Sequence, residues 1–219
     1  MQQIAHRHVG ATALLSSTYF GPVQWYQKLY RYDRVLIEQW DSYQKQTYRN
    51  RCLIATTNGI QALNVPVVHS SEFRISDHGN WRHQHWQALT SAYGDSPFFQ
   101  YYEDDLRPFF TERWEYLYDF NEAIRQKICE LIDISPKVER TEEYQKISEY
   151  SENSENSDYS GKSPLRDFRE AIQPKRPAPD DDFEPRRYYQ VYERKLGFLP
   201  NLSILDLLFN MGPESIFYL

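Results

Sequence analysis

The sequence predicts an α/β fold. It reads as a single domain with a small mixed sheet, a β-α-β start followed by a hairpin, packed by helices and broken by a long acidic loop. Three observations predict this. Two short apolar runs bracket a segment with helical spacing, two more meet at an Asn-Gly pair, and an acidic, apolar-poor stretch precedes an apolar tail. A chain of 219 residues can bury roughly 70% of its unfolded surface around one core. Its aromatic content of 16% supplies bulky side chains to fill that core.

Ala11-Thr-Ala-Leu-Leu15 reads as a short buried strand, ended by the turn formers of Ser16-Ser-Thr-Tyr-Phe-Gly-Pro22. Residues 24–32 have helical spacing, with Trp25, Leu29 and Tyr32 on one stripe. Arg34-Val-Leu-Ile-Glu38 is a second strand. A strand, a helix and a strand in about thirty residues predict a right-handed parallel crossover. Strands at residues 50–55 and 61–68 join at Thr57-Asn-Gly59, since Asn-Gly between apolar runs signals a hairpin. The hairpin makes the expected sheet mixed.

Helices follow at residues 81–93, within 98–112, and at 116–133, where Leu117, Phe120, Ile124, Ile128, Leu131 and Ile132 form an apolar stripe. From residue 136 to 187 the character changes. Ser151-Glu-Asn-Ser-Glu-Asn-Ser157 is acidic and of low complexity, and residues 174–185 are rich in Pro and Asp. Such a stretch lacks the apolar surface to offset its ordering entropy. It is expected to be a disordered loop at 136–187, with a helical turn at 165–172. The tail from Phe198 to Leu219 is apolar again and must pack on the first core, so residues 1–219 form one interrupted domain.

The formal charge of −6 opposes binding to nucleic acid, which rests on neutralising phosphates. No apolar run is long enough to span a bilayer, and residues 11–15 are too short for a signal-peptide core. Two cysteines, Cys52 and Cys129, make neither a disulfide framework nor a zinc site. The expected setting is cytoplasmic, with no metal and no cofactor.

Three clusters are candidates for chemistry. In the helix that Asn80 would cap, Trp81, His85, Ala88, Leu89 and Ala92 share one face and His83 points away. His85 is therefore either a buried, hydrogen-bonded core histidine or an acid, base or donor beside a pocket. The opposed directions of His83 and His85 argue against a metal shared with His78. The second cluster is Glu38-Gln-Trp-Asp41 with Lys45, Arg49, Asn50 and Arg51. It lies beyond a parallel strand, where open α/β sheets bind ligands. Its cations either grip an anionic group or form surface ion pairs at a solvated hairpin edge. The third is the helix of residues 203–210, on which Ser203, Asp206 and Asn210 make one narrow polar face, closed by Gly212-Pro213. That face is either merely wet or, if buried, supplied with polar partners. Cys52, beside Arg51, is a weak nucleophile candidate.

The sequence resembles the WbqC-like family in Ser17-Thr-Tyr19-Phe-Gly-Pro22, Gln44-Lys45, Asn50-Arg51, Trp81 with His85, and Tyr188-Tyr-Gln190. The longest match is Phe198-Leu-Pro-Asn-Leu-Ser203-Ile-Leu-Asp206-Leu-Leu-Phe-Asn210-Met-Gly212. Two family features differ: the usual Gln-Pro-x-Tyr-Leu-Pro-Trp opening is degenerate, and the mid-chain Ser-Ser and Tyr-Leu-Ser-Gly stretches give way to the acidic loop. The resemblance implies a bacterial protein of surface-polysaccharide (O-antigen) biosynthesis. It would transfer a small acyl or aminoacyl group, such as glycyl, from a small-molecule donor to a sugar acceptor. His85 would be the base, with Asp206 orienting it or the acceptor, and Lys45, Asn50 and Arg51 would grip an anionic donor. Tyr19, Trp81, Tyr188, Gln190, Ser203 and Asn210 would bind substrate. The alternative is a non-catalytic accessory or binding protein that meets a protein partner through the acidic loop.

Overall fold

The computed structural model describes residues 7–42, 44, 46–68, 73–146 and 164–219. The predicted crossover is present as β1 (His8–Ser16), α1 (Val23–Arg31) and β2 (Tyr32–Glu38), with β1 and β2 parallel. Ala13, Leu14 and Leu15 are consecutive in β1 and all buried, as expected for a strand covered on both faces. The hairpin forms from β3 (Arg51–Thr56) and β4 (Gly59–Asn64), and Gly59 takes the positive φ of 109° that the tight turn requires. It stands as its own two-stranded sheet. A further small pair, β5 (Val67–Val68) with β6 (Arg74–Ile75), follows it. The helices are α2 (Trp81–Tyr93), α3 (Phe99–Leu106), α4 (Pro108–Thr111) and α5 (Leu117–Leu131). Pro108 separates α3 from α4, since its ring cannot continue the hydrogen-bond ladder.

The main sheet differs from the expected mixed one. Its order is β7-β2-β1-β8, all parallel, with β7 at Val138–Arg140 and β8 at Leu165–Asp167. Both edge strands come from the stretch expected to be disordered; β8 takes the first three residues of the expected helical turn at 165–172, and the turn is confined to the rest, where the Ile172 amide donates to the Phe168 carbonyl at 2.9 Å. The expectation of disorder over 136–187 is therefore corrected for residues 136–146 and 164–187; residues 147–163 and their acidic run lie outside the described residues.

The physical reason is that the fastening of this stretch lies in distant partners, which its own composition does not show. Phe168, Ala171 and Ile172 are buried in the common core. The Asp-rich part docks on α1: Asp180 pairs with the fully buried Lys28 at 2.8 Å and accepts from Gln24 Nε2 at 2.7 Å. The Lys28 ammonium also lies over the Phe168 ring at 4.4 Å, a cation–π contact. Asp182 accepts from Tyr32 Oη at 2.7 Å and pairs with Arg166. Burial pulls the Lys28 pKa down, against the hydrogen bond and charge of Asp180.

The tail closes the molecule through α6 (Glu193–Leu196), α7 (Ile204–Met211) and a 3-10 helix (Gly212–Tyr218). Leu205, Leu207, Leu208 and Phe209 of α7 are fully buried in the core that holds β1 and α1. Each such side chain is worth roughly 1.5–3 kcal/mol of burial. Ser203 caps α7 by accepting from the Leu205 amide and donates its hydroxyl to the Phe20 carbonyl at 2.8 Å. Backbone bonds from Val23 to Leu202 and from Ile204 to Gly21 knit the tail to the start of α1.

Candidate functional site

The sequence-predicted residues divide into three places. On α2, Trp81, His85, Leu89 and Ala92 are buried and His83 is exposed, as the helical face predicts. His85 sits in the core: its Nδ1 lies 2.9 Å from Tyr19 Oη, and its ring meets Trp81 edge-on at 5.1 Å. The Asn64 backbone hydrogen-bonds the ring and partly opposes burial, which pulls the His85 pKa down to about 4. A neutral imidazole that donates to this carbonyl leaves Nδ1 to accept from the Tyr19 hydroxyl.

This state has a pH signature. A histidine whose pKa is depressed on folding adds stability above its unfolded pKa near 6.5, and that stability is lost as the pH falls toward about 4. Through this group the fold should lose up to about 3 kcal/mol between those limits. Urea unfolding at several pH values should show a shallower acid limb for His85→Gln. An unchanged limb would show that His85 is solvated.

The second place is α7. Asp206 is 1% exposed and accepts from Tyr93 Oη at 2.8 Å, Tyr188 Oη at 2.7 Å and Gln190 Nε2 at 2.8 Å. Burial raises its pKa, against the hydrogen bonds from Tyr188, Tyr93 and Gln190. Asn210 Nδ2 donates to the Asp206 carbonyl at 2.7 Å. The polar face of this helix is thus buried and partnered, except for Asn210 Oδ1, which has no partner among the described residues. The partners are neutral hydroxyls and an amide, and no hydrogen bond links Asp206 to His85 among the described residues. The expected orientation of His85 by Asp206 is corrected accordingly.

The third place is the foot of the hairpin. Asn50 Nδ2 donates to the Val65 carbonyl at 2.8 Å and Arg51 Nε to Asn64 Oδ1 at 2.6 Å, so both clamp the strand ends. Lys45 lies outside the described residues. Cys52 is buried and its thiol pKa is pushed up by burial, while that of Cys129 is pushed up to about 11 for the same reason. Neither is an activated nucleophile at neutral pH.

A cleft of about 60 Å³ opens elsewhere, beyond the carboxyl ends of the parallel strands. Ser16, Ser17 and Thr18 enter it from the end of β1, Asp41 and Ser42 from beyond β2, and Arg169 and Glu170 from beyond β8. Because β2 and β8 lie on opposite sides of β1, this is the switch point at which open α/β sheets hold ligands. Asp41 and Arg49 of the second sequence cluster line it, whereas none of the described site residues implied by the family resemblance does.

Arg169 organises the cleft. It is 5% exposed, binds Asp167 through Nε and Nη2, reaches Glu38 at 3.3 Å and Asp41 at 3.4 Å through Nη1, and donates Nη2 to the Gln145 carbonyl at 2.7 Å. Burial opposes its charge, but the Asp167 hydrogen bonds and the surrounding carboxylates outweigh it and raise its pKa. Arg49 pairs with Asp41 at 2.8 Å, and burial pulls its pKa down. Ser16 Oγ donates to Asp41 at 3.0 Å, and Asn121 Nδ2 donates to Ser17 Oγ at 2.9 Å. The signal for this site in the sequence was the run of carboxylates after β2. Arg169 was hidden because its segment reads as disordered.

The WbqC-like protein family model matches residues 17–218, which takes in both buried networks and the cleft lining except Ser16. The chain belongs to the WbqC-like family. One relative is the uncharacterized protein Rv1507c of Mycobacterium tuberculosis, 27% identical over 222 residues that cover 94% of this chain and 96% of that protein. No solved structure matches this WbqC-like chain. Among its described residues no helix is long and apolar enough to cross a membrane, and no group of three or more His, Cys, Asp or Glu side chains could hold a metal ion.

Proposed function

We propose that this WbqC-like protein is a sugar-binding component of surface-polysaccharide assembly, with its ligand in the cleft beyond β1, β2 and β8. The supporting observation is the lining. Ser16, Ser17, Thr18, Ser42 and Thr47 line the cleft together with Tyr144, which is 47% exposed, and the buried Trp25 and Tyr48. Hydroxyls both donate and accept, as a sugar's own hydroxyls require. The exposed Tyr144 ring offers an apolar face to its C–H surfaces, and the polar groups around it fix orientation. The setting in polysaccharide assembly rests on what the family resemblance implies.

A second reading is transfer of a small acyl or aminoacyl group, such as glycyl, onto the bound sugar. It is favoured by Asp41, a carboxylate at the cleft that already accepts the Ser16 hydroxyl. In this reading an acceptor amine or hydroxyl attacks the acyl carbon, the donor's leaving group departs, and Asp41 takes the proton. His85 is not that base, given its core position and depressed pKa.

Calorimetric titration of the full chain with monosaccharides, nucleotides and free amino acids separates these readings from unrelated ones. Saturable binding of a sugar is expected, and binding of nucleotides with no sugar bound contradicts the proposal. An aminoacyl thioester added to the sugar complex then decides between the two roles. A mass gain on the sugar supports transfer, and an unchanged sugar supports binding alone.

A further inference from the structure

The hairpin of β3 and β4 leaves one edge bare. The Val65 amide donates to the Asn50 carbonyl at 2.8 Å, and hydrogen-bonded pairs alternate along an antiparallel ladder. The bonded pairs are therefore Cys52 with Leu63, Ile54 with Gln61 and Thr56 with Gly59. The residues between them aim their N–H and C=O groups away from the partner strand. On β3 those outward groups are used: the Leu53 carbonyl accepts from the Ser203 amide at 2.8 Å, and the Ala55 amide donates to Tyr93 Oη at 3.1 Å. On β4 the Asn64 carbonyl is taken by His85. Helix α2 thus crosses the hairpin from the outer edge of β4 at Asn64 to the outer edge of β3 at Ala55. Beyond that crossing stand Ile60 and Ala62, whose outward N–H and C=O groups have no hydrogen-bond partner among the described residues.

This stretch is at the surface: Ile60 is 54% exposed, Gln61 is exposed and Ala62 is half-buried. Natural edge strands are guarded by charge, proline or a covering segment. From Gly59 to Asn64, β4 carries neither a charged residue nor a proline.

Symmetry and charge identify the occupant. The bare stretch is centred on Gln61, so a two-fold axis there sets Ile60 opposite Ala62 of a second copy and Gln61 opposite Gln61. Each Ile60–Ala62 pair exchanges two backbone bonds, four in all. A primary amide both donates and accepts, so Gln61 is its own complement, and a large side chain meets a small one in both outer pairs. An acidic or basic partner strand would find no opposite charge on β4. Two copies of a chain of formal charge −6 repel elsewhere on their surfaces, but not along this neutral edge.

We infer that β4 is the interface of a homodimer, in which the Ile60–Ala62 edges of two copies pair antiparallel about Gln61 and join the hairpins into one four-stranded sheet. Four backbone bonds and one exposed isoleucine from each copy are little against a standard interface. The dimer is therefore weak and concentration-dependent, with a dissociation constant on the order of 100 µM. The inference does not depend on what the cleft binds.

Sedimentation equilibrium of the full chain between about 5 and 500 µM should show monomers giving way to dimers. Gln61→Glu and Gln61→Lys each set like charges opposite one another, and each alone should raise the dissociation constant about tenfold. Mixed in equal amounts, the two variants should associate at least as tightly as wild type, because the facing charges then have opposite sign. Ala62→Pro should also remove the dimer and leave the monomer folded, since the lost N–H points away from β3. Should that variant not fold, the charge pair at the exposed Gln61 carries the test alone. A chain that stays monomeric throughout this range would overturn the inference. So would a dimer that the single Gln61 variants leave unchanged, or one that their mixture does not restore.

Discussion

Asp180→Ala should destabilise the protein by about 3–5 kcal/mol, the cost of leaving a buried charge without its partner. Lys28 is fully buried and the Asp180 side chain is 4% exposed, with 2.8 Å between them. Removing the carboxylate also strips Gln24 Nε2 of its acceptor and cuts the Asp-rich segment loose from α1. Lowering the melting temperature by about 6–20 °C would fit a domain of this size. The double change Lys28→Met with Asp180→Leu should recover most of the loss, because a well-packed apolar pair replaces a buried ion pair at little cost. A loss under about 1 kcal/mol in Asp180→Ala would place the pair in solvent and remove the explanation given for the order of residues 164–187.

Asp206→Ala should cost a similar amount, about 3–5 kcal/mol, for a different reason. It leaves three buried donors, on Tyr93, Tyr188 and Gln190, without an acceptor. Tyr93 Oη also accepts from the Ala55 amide at 3.1 Å, so the damage reaches from α7 through α2 to β3. Asp206→Asn keeps one acceptor oxygen, and the tyrosine hydroxyls can turn to accept from its amide, so a smaller loss is expected. The titration has the opposite sign to that of His85. Because burial raises the Asp206 pKa, its contribution is full below the unfolded value and is lost as the pH rises through the folded one. Chemical denaturation at neutral pH measures both variants. An Asp206→Ala protein as stable as wild type would show that these donors find other partners.

The parts of the fold that local pattern can encode were legible in the sequence. The β-α-β start, the hairpin at Gly59, the buried stripe of α2 and the apolar α7 all follow from residues within one or two turns of each other. What was not legible depends on pairs far apart in the chain. Residues 164–187 look too polar to order, yet Asp180 meets Lys28 and Asp182 meets Tyr32 across some 150 positions. The same blindness hid Arg169, whose guanidinium joins the exits of β2 and β8. The candidate site was half legible. The carboxylates after β2 pointed to the carboxyl edge of the sheet, and Asp41 and Arg49 are there. His85, Asp206 and their neighbours carry the family resemblance but lie in the core, where His85 and Asp206 are hydrogen-bonded and hold the fold together.

The central claim is that the ligand site is the cleft at the carboxyl edge of the parallel sheet and not the His85 and Asp206 networks. It is tested most directly by titrating glucosamine into wild type, Tyr144→Ala and His85→Gln. Tyr144 lines the cleft, is 47% exposed and lies 5.2 Å from the Arg169 guanidinium, so its removal should alter the cleft and spare the core. The account predicts that Tyr144→Ala weakens binding about tenfold, the loss of one ring contact and its shielding from water, while His85→Gln binds as wild type does. Wild-type affinity in Tyr144→Ala together with lost binding in a folded His85→Gln would contradict it.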